Sequence, residues 1–102
     1  MTITAAQCRA ARALTDVSRE MLSDATDIEE KTIRSFEKKL AEPDAGIIER
    51  LRHQLEAYGA VFLPEDAHGG IGVRLKFTRS EAKRVANLEN EGGPVGDDDI
   101  GE

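Results

Sequence analysis

The stretch that decides the fold is SREMLSDATDIEEKTIRSFEKK, residues 18–39. Ser18 can cap a short helix that ends near Ala25, because a serine hydroxyl accepts a hydrogen bond from the first helical turn. Thr26-Asp27 is a turn signal, and the run 28–39 has the spacing of a further helix. The positions expected to face the core are Met21, Leu22 and Ala25 on one helix and Ile33, Phe36 and Leu40 on the other. The stretch therefore predicts two short helices joined by a tight turn.

The second of these helices begins acidic and becomes basic. Glu29 and Glu30 lie in its first turn, where negative charge stabilises a helix through its dipole. The basic residues follow at Lys31, Arg34, Lys38 and Lys39. Two interpretations are open. Either these cations contact DNA, or they form a solvated face with pairs such as Glu30 and Arg34, four residues apart.

Helices are predicted on both sides of this stretch. Thr4-x-x-Gln7 is a capping-box pattern that opens a first helix over 4–14, with Cys8, Ala11 and Leu14 at helical spacing. Pro43 interrupts the chain, and Asp44 can cap a fourth helix that ends before Gly59. Its apolar stripe comprises Ile47, Ile48, Leu51, Leu55 and Tyr58.

The periodicity changes after Gly59. Residues 60–63 are apolar and residues 72–77 alternate, which predicts a β-hairpin with a loop of eight residues. An isolated hairpin is marginally stable, so this one must lean on the helices or on a second copy. We therefore divide the chain into a helical domain (1–59), a hairpin (60–79) and a C-terminal segment (80–102). That segment carries a predicted short helix over 80–89 and an acidic tail.

Charge is unevenly distributed along the 102 residues, whose net charge is −6. Residues 1–79 carry 12 Lys and Arg against 13 Asp and Glu, whereas residues 80–102 carry 2 against 7. The body is therefore nearly neutral, and local patches decide which partners it attracts. We expect no membrane contact, because no run approaches the roughly 20 apolar residues of a span. A single cysteine, Cys8, and no signal-peptide pattern predict a cytoplasmic protein.

Catalytic and metal-binding patterns are not apparent in the sequence. His53 and His68 have no second His or Cys at ligand spacing, so no metal is expected. The glycines of 69–72 do not lead from a strand into a helix, so we interpret them as a loop and expect no cofactor. No nucleophile, base and orienting group occur together, and we expect no enzyme. Cys8 is interpreted as a core residue.

The helical segments also resemble a known family. Three parts of the sequence carry the resemblance: Ser18-Arg-Glu-Met-Leu22, Ile28-x-x-x-Thr32-Ile33-x-x-Phe36-Glu37 and Pro43. Together they are similar to the Cro/lambda-repressor-like (XRE) helix-turn-helix domain. Phe62-Leu-Pro-Glu65 and Gly70-Ile-Gly-Val-Arg-Leu75 resemble a short bacterial subgroup in which a hairpin follows the fourth helix. The resemblance implies a mainly α, four- to five-helix lambda-repressor-like fold and a transcriptional regulator that binds DNA.

The resemblance implies DNA contacts on both helices of 18–39. The implied positions are Ser18, Arg19, Glu30, Lys31, Arg34, Lys38 and Lys39. Ser18 would offer its hydroxyl and the helix N-terminus to a phosphate, and Lys38 and Lys39 would also meet phosphates. Arg19 stands where the family usually has Gln, a residue that touches backbone or base.

The third helix would enter the major groove. Lys31 or Arg34 could pair with guanine O6 and N7, and Glu30 could accept a hydrogen bond from a cytosine amino group. Glu37 would have a structural role, bracing the second helix or an adjacent backbone group. Ile33 and its apolar neighbours would belong to the core.

Two assemblies are compatible with these features. The first is a homodimer on a two-fold DNA operator, joined through the hairpin residues Val61, Phe62, Val73, Leu75 and Phe77. The second is an interaction module of the same fold that binds another protein, as an antiactivator does, with the acidic tail as a possible docking element. Glu29 favours the second, because it adds negative charge near DNA where the family usually has Ser.

Overall fold

Four α-helices and a two-stranded antiparallel hairpin make up residues 2–78, the part of the chain that the computed structural model describes. The helices are α1 (Ala5–Thr15), α2 (Arg19–Thr26), α3 (Glu30–Glu37) and α4 (Ala45–Ala57), and the strands are β1 (Ala60–Leu63) and β2 (Gly72–Leu75). The prediction of a mainly helical domain with a hairpin after its fourth helix is confirmed. The predicted helix over 80–89 and the acidic tail lie outside the described residues.

Local capping explains where three of the helices begin. Thr4 and Gln7 form the predicted capping box, in which each side-chain oxygen accepts from the other's backbone N–H, at 3.1 and 3.0 Å. Ser18 Oγ and Asp44 Oδ1 each accept from the N–H three residues later, at 3.0 and 2.9 Å. These bonds satisfy donors that have no partner within the helix, so the boundaries follow from short-range chemistry.

The turn between α2 and α3 consists of residues 27–29. Asp27 adopts the left-handed conformation with φ 65°, which Asp tolerates better than most residues. Ser23 Oγ donates to the carbonyl of Ile28 at 2.5 Å, and the Ile28 side chain is buried. Glu29 precedes α3 without forming a side-chain cap. The Ile28 N–H also donates to Thr26 Oγ1 at 3.3 Å. The turn is therefore held by side-chain hydrogen bonds at Ile28 and by burial of the Ile28 side chain.

Helix α3 ends two residues earlier than the predicted 28–39. Its end is a Schellman motif, in which the Lys39 N–H donates to Phe36 O at 3.0 Å and the Leu40 N–H donates to Ser35 O at 2.8 Å. Lys39 occupies the left-handed position with φ 62°, where glycine is usual. Because the helical period stops at Glu37, Leu40 is 74% exposed, and its prediction as a core residue is wrong.

All four helices contribute to one apolar core. Its buried members are Ile3, Ala5, Cys8, Ala11, Val17, Leu22, Ile28, Ile33, Phe36, Ile48, Leu51, Leu55, Ala60 and Phe62. The predicted core positions Met21 and Ala25 are exposed instead, and so is Leu14, which shares the helical spacing of Cys8 and Ala11. In the case of α2, the helix has eight residues and buries Leu22 alone, so its apolar face is narrower than its sequence indicates. The assignment of Cys8 to the core is confirmed.

The hairpin packs against α1 and α4, so it does lean on the helices. Gly59, with φ 111°, turns the chain from α4 into β1 as its position after the helix predicted. Strand register pairs Ala60 with Leu75 and Phe62 with Val73, and β2 ends at Leu75 rather than at the predicted residue 77. The buried Gln7 links α1 to both strands where they meet the hairpin loop. Its Nε2 donates to Gly72 O at 3.0 Å and to Leu63 O at 3.4 Å.

Candidate nucleic-acid interface

A basic stripe runs along the outer side of α3. Ile33, Phe36 and Glu37 are buried on the inner side, which leaves Lys31 and Arg34 exposed on the other side. Lys38 follows α3 as its C-cap, and Lys39 follows in the turn; both are exposed. We call Lys31, Arg34, Lys38 and Lys39 the basic stripe. Two of its members lie on α3 and two directly follow its C-terminal end.

The stripe carries uncompensated charge within the described part of the chain. No ion pair among residues 2–78 joins a stripe residue to a carboxylate within 4.0 Å. The Glu30–Arg34 pair that the spacing allows is therefore not formed there. The ion pairs that do form on exposed surface lie on α4, where Arg52 bridges Glu49 and Glu56. The basic stripe thus keeps its cations available to an anionic partner.

Ser18 is the N-cap residue of α2, the helix that precedes α3. Its hydroxyl oxygen accepts from the Met21 N–H, which leaves the hydroxyl proton free to donate to a phosphate oxygen. It borders an open cleft of about 360 Å³, and the cleft lining is Arg9, Arg12, Ala13, Asp16, Val17, Ser18 and Met21. Two arginines therefore line the same cleft as the hydroxyl.

Glu37 is the most unusual residue near α3, because its side chain is a carboxylate that is 0% exposed. Arg12 donates to both of its oxygens at 2.7 Å, Nε to Oε2 and Nη2 to Oε1. Arg19 Nε donates to Oε1 at 2.9 Å, and the Cys8 thiol donates to Oε2 at 3.3 Å. Arg9 donates to the Glu37 carbonyl. We call Cys8, Arg12, Arg19 and Glu37 the buried ionic cluster.

Burial and hydrogen bonding oppose each other at Glu37. Burial would raise the pKa of the Glu37 carboxyl, but hydrogen bonds from Arg12 and Arg19 outweigh it and hold the pKa below its usual value. Hydrogen bonding to Glu37 likewise raises the pKa of the Arg12 guanidinium. Burial, and then the adjacent Glu37 charge, raise the pKa of the Cys8 thiol, which keeps it protonated. At neutral pH the Glu37 carboxylate and the Arg12 guanidinium therefore stay charged, and the Cys8 thiol stays neutral.

The cluster changes the interpretation of Arg19. The resemblance implied a DNA contact for this residue, but its Nε is bound to Glu37 and its side chain is 29% exposed. Glu37 thereby braces α2 against α3, which is the structural role expected of it. The part of Arg19 not engaged by Glu37 is its terminal pair of Nη groups.

Arg9 and Arg12 had no assigned role in the sequence interpretation. The signal that would have found them is the position of Glu37, four residues after Ile33 on the apolar side of α3. A carboxylate on a buried face requires a cation, because burying an unpaired charge is very costly. Arginines near the middle of the first helix were the available partners.

The predicted dimerisation residues separate into two groups. Phe62 is buried in the domain's own core, Val73 packs against that core, and Val61 is partly buried. Leu75 is 37% and Phe77 is 40% exposed. Only the last two therefore offer open apolar surface, and the exposed Leu63 and Ile71 of the hairpin accompany them.

Other kinds of site find no support in the described residues. No group of three or more His, Cys, Asp or Glu among residues 2–78 is placed to hold a metal ion. No helix in that range is long and apolar enough to cross a membrane. Comparison with known proteins adds no identification, since neither a protein-family model nor a curated protein matches the chain.

Proposed function

We propose that the protein is a small cytoplasmic transcriptional regulator of the lambda-repressor-like helix-turn-helix type. It binds DNA sequence-specifically as a homodimer, with α3 in the major groove. The observation that carries the proposal is the basic stripe, exposed and without carboxylate partners within residues 2–78. It lies on the helix that follows α2 after a three-residue turn, the arrangement of a recognition helix.

Each basic residue then has a role set by its place on α3. Lys31 stands in the first turn of the helix, where side chains reach base edges, and Arg34 follows three residues later on the exposed side, in the last turn. Lys38 and Lys39 lie at its C-terminal end and meet phosphates, as Ser18 does at the start of α2. Arg19 contributes less directly, because Glu37 already occupies its Nε.

Charge reversal on the stripe tests the proposal. Lys31→Glu combined with Arg34→Glu should abolish salt-dependent retention on genomic DNA fragments, since each cation that neutralises a phosphate contributes to the salt dependence. The matched control is Lys83→Glu with Arg84→Glu, which makes the same change in net charge within the C-terminal segment of the sequence. Retention should survive in the control. Equal loss in both variants, or no retention of any fragment by the wild type, would refute the proposal.

The homodimer rests on the hairpin. Leu75 at the end of β2 and Phe77 just beyond it expose apolar area, and the edges of a two-stranded sheet offer backbone groups to a second copy. Sedimentation at micromolar concentration should show a dimer, and Leu75→Ser with Phe77→Ser should shift it to monomer. Leu40→Ser, at the most exposed leucine of the described residues, is the control and should leave the dimer intact. A wild-type monomer at that concentration contradicts the homodimer.

A second function is favoured by the acidic balance of the chain. The net charge is −6, and Glu29 and Glu30 are exposed at the start of α3. An interaction module of the same fold would bind another regulator, with the acidic tail as one contact. Affinity capture from native lysate with nuclease present distinguishes the two. If a protein partner is still captured in the presence of nuclease, and the Lys31→Glu, Arg34→Glu variant still binds it, the protein-interaction function is supported. If every partner is lost, the DNA-binding function is supported.

A further inference from the structure

The basic stripe ends next to an exposed apolar side chain. Lys38 and Lys39 directly follow α3, and both are exposed. Leu40 comes next and is 74% exposed, the largest fraction among the large apolar residues of the described chain. No ion pair within residues 2–78 includes either lysine. Residues 38–40 are therefore complementary to a segment that is acidic and carries an apolar side chain.

One segment of the same chain has this composition. Residues 97–102 are Asp-Asp-Asp-Ile-Gly-Glu, in which four carboxylates accompany Ile100. We call this segment, which lies outside the described residues, the acidic hexapeptide. Among residues 2–78, Arg12, Arg19 and Arg52 already pair with carboxylates, whereas the four cations of the stripe do not. Charge complementarity therefore favours the stripe as the partner of the hexapeptide.

The acidic residues at the start of α3 favour one end of the stripe over the other. Glu29 and Glu30 are exposed there and repel a further acidic segment. Lys38 follows Glu30 by eight residues, which is about 12 Å along a helix axis. Salt screens charges that are more than about 8 Å apart at physiological ionic strength. The repulsion is therefore weak at residues 38–40, where the lysines attract the hexapeptide directly.

The chain between the two segments is long enough to bring them together. Residues 79–96 connect the described part to the hexapeptide. If the predicted helix over 80–89 forms, it contributes about 15 Å at 1.5 Å per residue, and the other eight connecting residues add up to about 26–29 Å when extended. This total exceeds the diameter of a small domain, about 30 Å. The hexapeptide can therefore reach the stripe from the end of the hairpin.

We propose that the acidic hexapeptide binds residues 38–40 of the same chain, with its carboxylates at Lys38 and Lys39 and with Ile100 on Leu40. The hexapeptide then competes with DNA phosphates for the two lysines, and it lowers the affinity for DNA most strongly at low salt. The contact itself does not depend on the proposed function. The competition rests on that function, because it requires DNA at the stripe.

Two full-chain variants separate the contact from a general effect of net charge. The hexapeptide variant combines Asp97→Asn, Asp98→Asn and Asp99→Asn. The matched control variant combines Glu81→Gln, Glu89→Gln and Glu91→Gln. Each variant removes three negative charges from the C-terminal segment, so a difference between them reports the position of the charges rather than their number.

NMR spectra without DNA test the contact. The hexapeptide variant should shift the backbone amide resonances of Lys38 and Lys39 and the methyl resonances of Leu40. Added salt should move the wild-type resonances toward the same positions, because it screens the ion pairs. The control variant should leave them in place. Ile100→Ser should also shift the Leu40 methyl resonances, although it leaves the net charge unchanged.

Titration of a genomic DNA fragment that the wild type retains tests the competition. At low salt, the hexapeptide variant should bind the fragment about three- to tenfold more tightly than the control variant, because exposed ion pairs are individually weak. The difference should disappear at about 0.5 M salt, where the Debye length is much shorter. Equal affinity of the two variants at low salt would overturn the competition.

The two measurements distinguish failure of the inference from failure of the proposed function. If the resonances of residues 38–40 respond no more to the hexapeptide variant than to the control variant, the inference is wrong, whatever the protein binds. If these resonances shift as expected but neither the wild type nor the hexapeptide variant retains any DNA, the contact stands. In that case the proposed DNA binding fails, and the competition fails with it.

Discussion

Removing the charge of Glu37 should strongly destabilise the protein. Glu37→Gln keeps the shape of the side chain but leaves Arg12 and Arg19 without their counter-ion, at 18% and 29% exposure. Breaking a fully buried ion pair in this way costs roughly 3–5 kcal/mol. Because both arginines retain some contact with water, we expect a loss of about 2–4 kcal/mol in the free energy of unfolding.

Urea denaturation followed by circular dichroism measures this loss. For a domain of this size, the same loss corresponds to a decrease in Tm of about 8–30 °C. The matched control is Glu49→Gln, which removes an exposed carboxylate that pairs with Arg52 and should leave the unfolding midpoint unchanged within error. Both variants change net charge equally, so the comparison isolates burial.

A double-mutant cycle separates charge pairing from packing. If Arg12→Gln and Glu37→Gln interact directly, the double variant should be more stable than the sum of the single losses predicts, by about 1 kcal/mol or more. Additive losses, or a loss below about 0.5 kcal/mol for Glu37→Gln, would refute the view that the buried ionic cluster holds α1, α2 and α3 together.

Three further predictions concern local features. The pKa of the Glu37 carboxyl is lowered in the folded protein. The contribution of Glu37 to the free energy of unfolding should therefore be complete above the ordinary pKa of 4.5 and should decline as the pH falls below that value. Urea titrations at several pH values should show that the Glu37→Gln variant lacks this part of the acid transition. The Cys8 thiol, buried and protonated, should react with an aromatic disulfide reagent only on unfolding, and labelling of the native protein within seconds would contradict its burial. Lys39→Gly should raise the free energy of unfolding by about 1 kcal/mol, because glycine adopts the φ of 62° without strain, and thermal melts that show a decrease would count against this.

The helix boundaries set by capping were predictable because capping is local. Ser18 and Asp44 each bond to an N–H three residues away, and a bond of that range can be inferred from neighbouring residues. The end of α3 was not predictable in this way. The position that turns the chain is Lys39, and no glycine marks it. The exposure of Leu40 follows from that single turn.

The residues of the basic stripe were likewise predictable from the sequence. Their lack of carboxylate partners within residues 2–78 was not. Spacing alone allowed Glu30 to neutralise Arg34, and only the side-chain positions show that they are apart within the described chain. The hairpin shows the same limit. Its apolar residues indicated that one side of the hairpin would be buried. They did not indicate that Phe62 would lie in the domain's own core while Phe77 stays exposed, because this depends on where β1 packs against the helices.

By itself, the sequence determined the order of four helices and a hairpin, the starting caps of three of those helices and the basic residues in and after the third. These features depend on periodicity and on hydrogen bonds between residues close in the chain. Only the tertiary structure decided that Glu37 is buried and that Arg12 and Arg19, which are 25 and 18 residues away, neutralise it. The physical reason is that a buried charge must find its partner in space, and the chain brings distant residues together only when the core has formed.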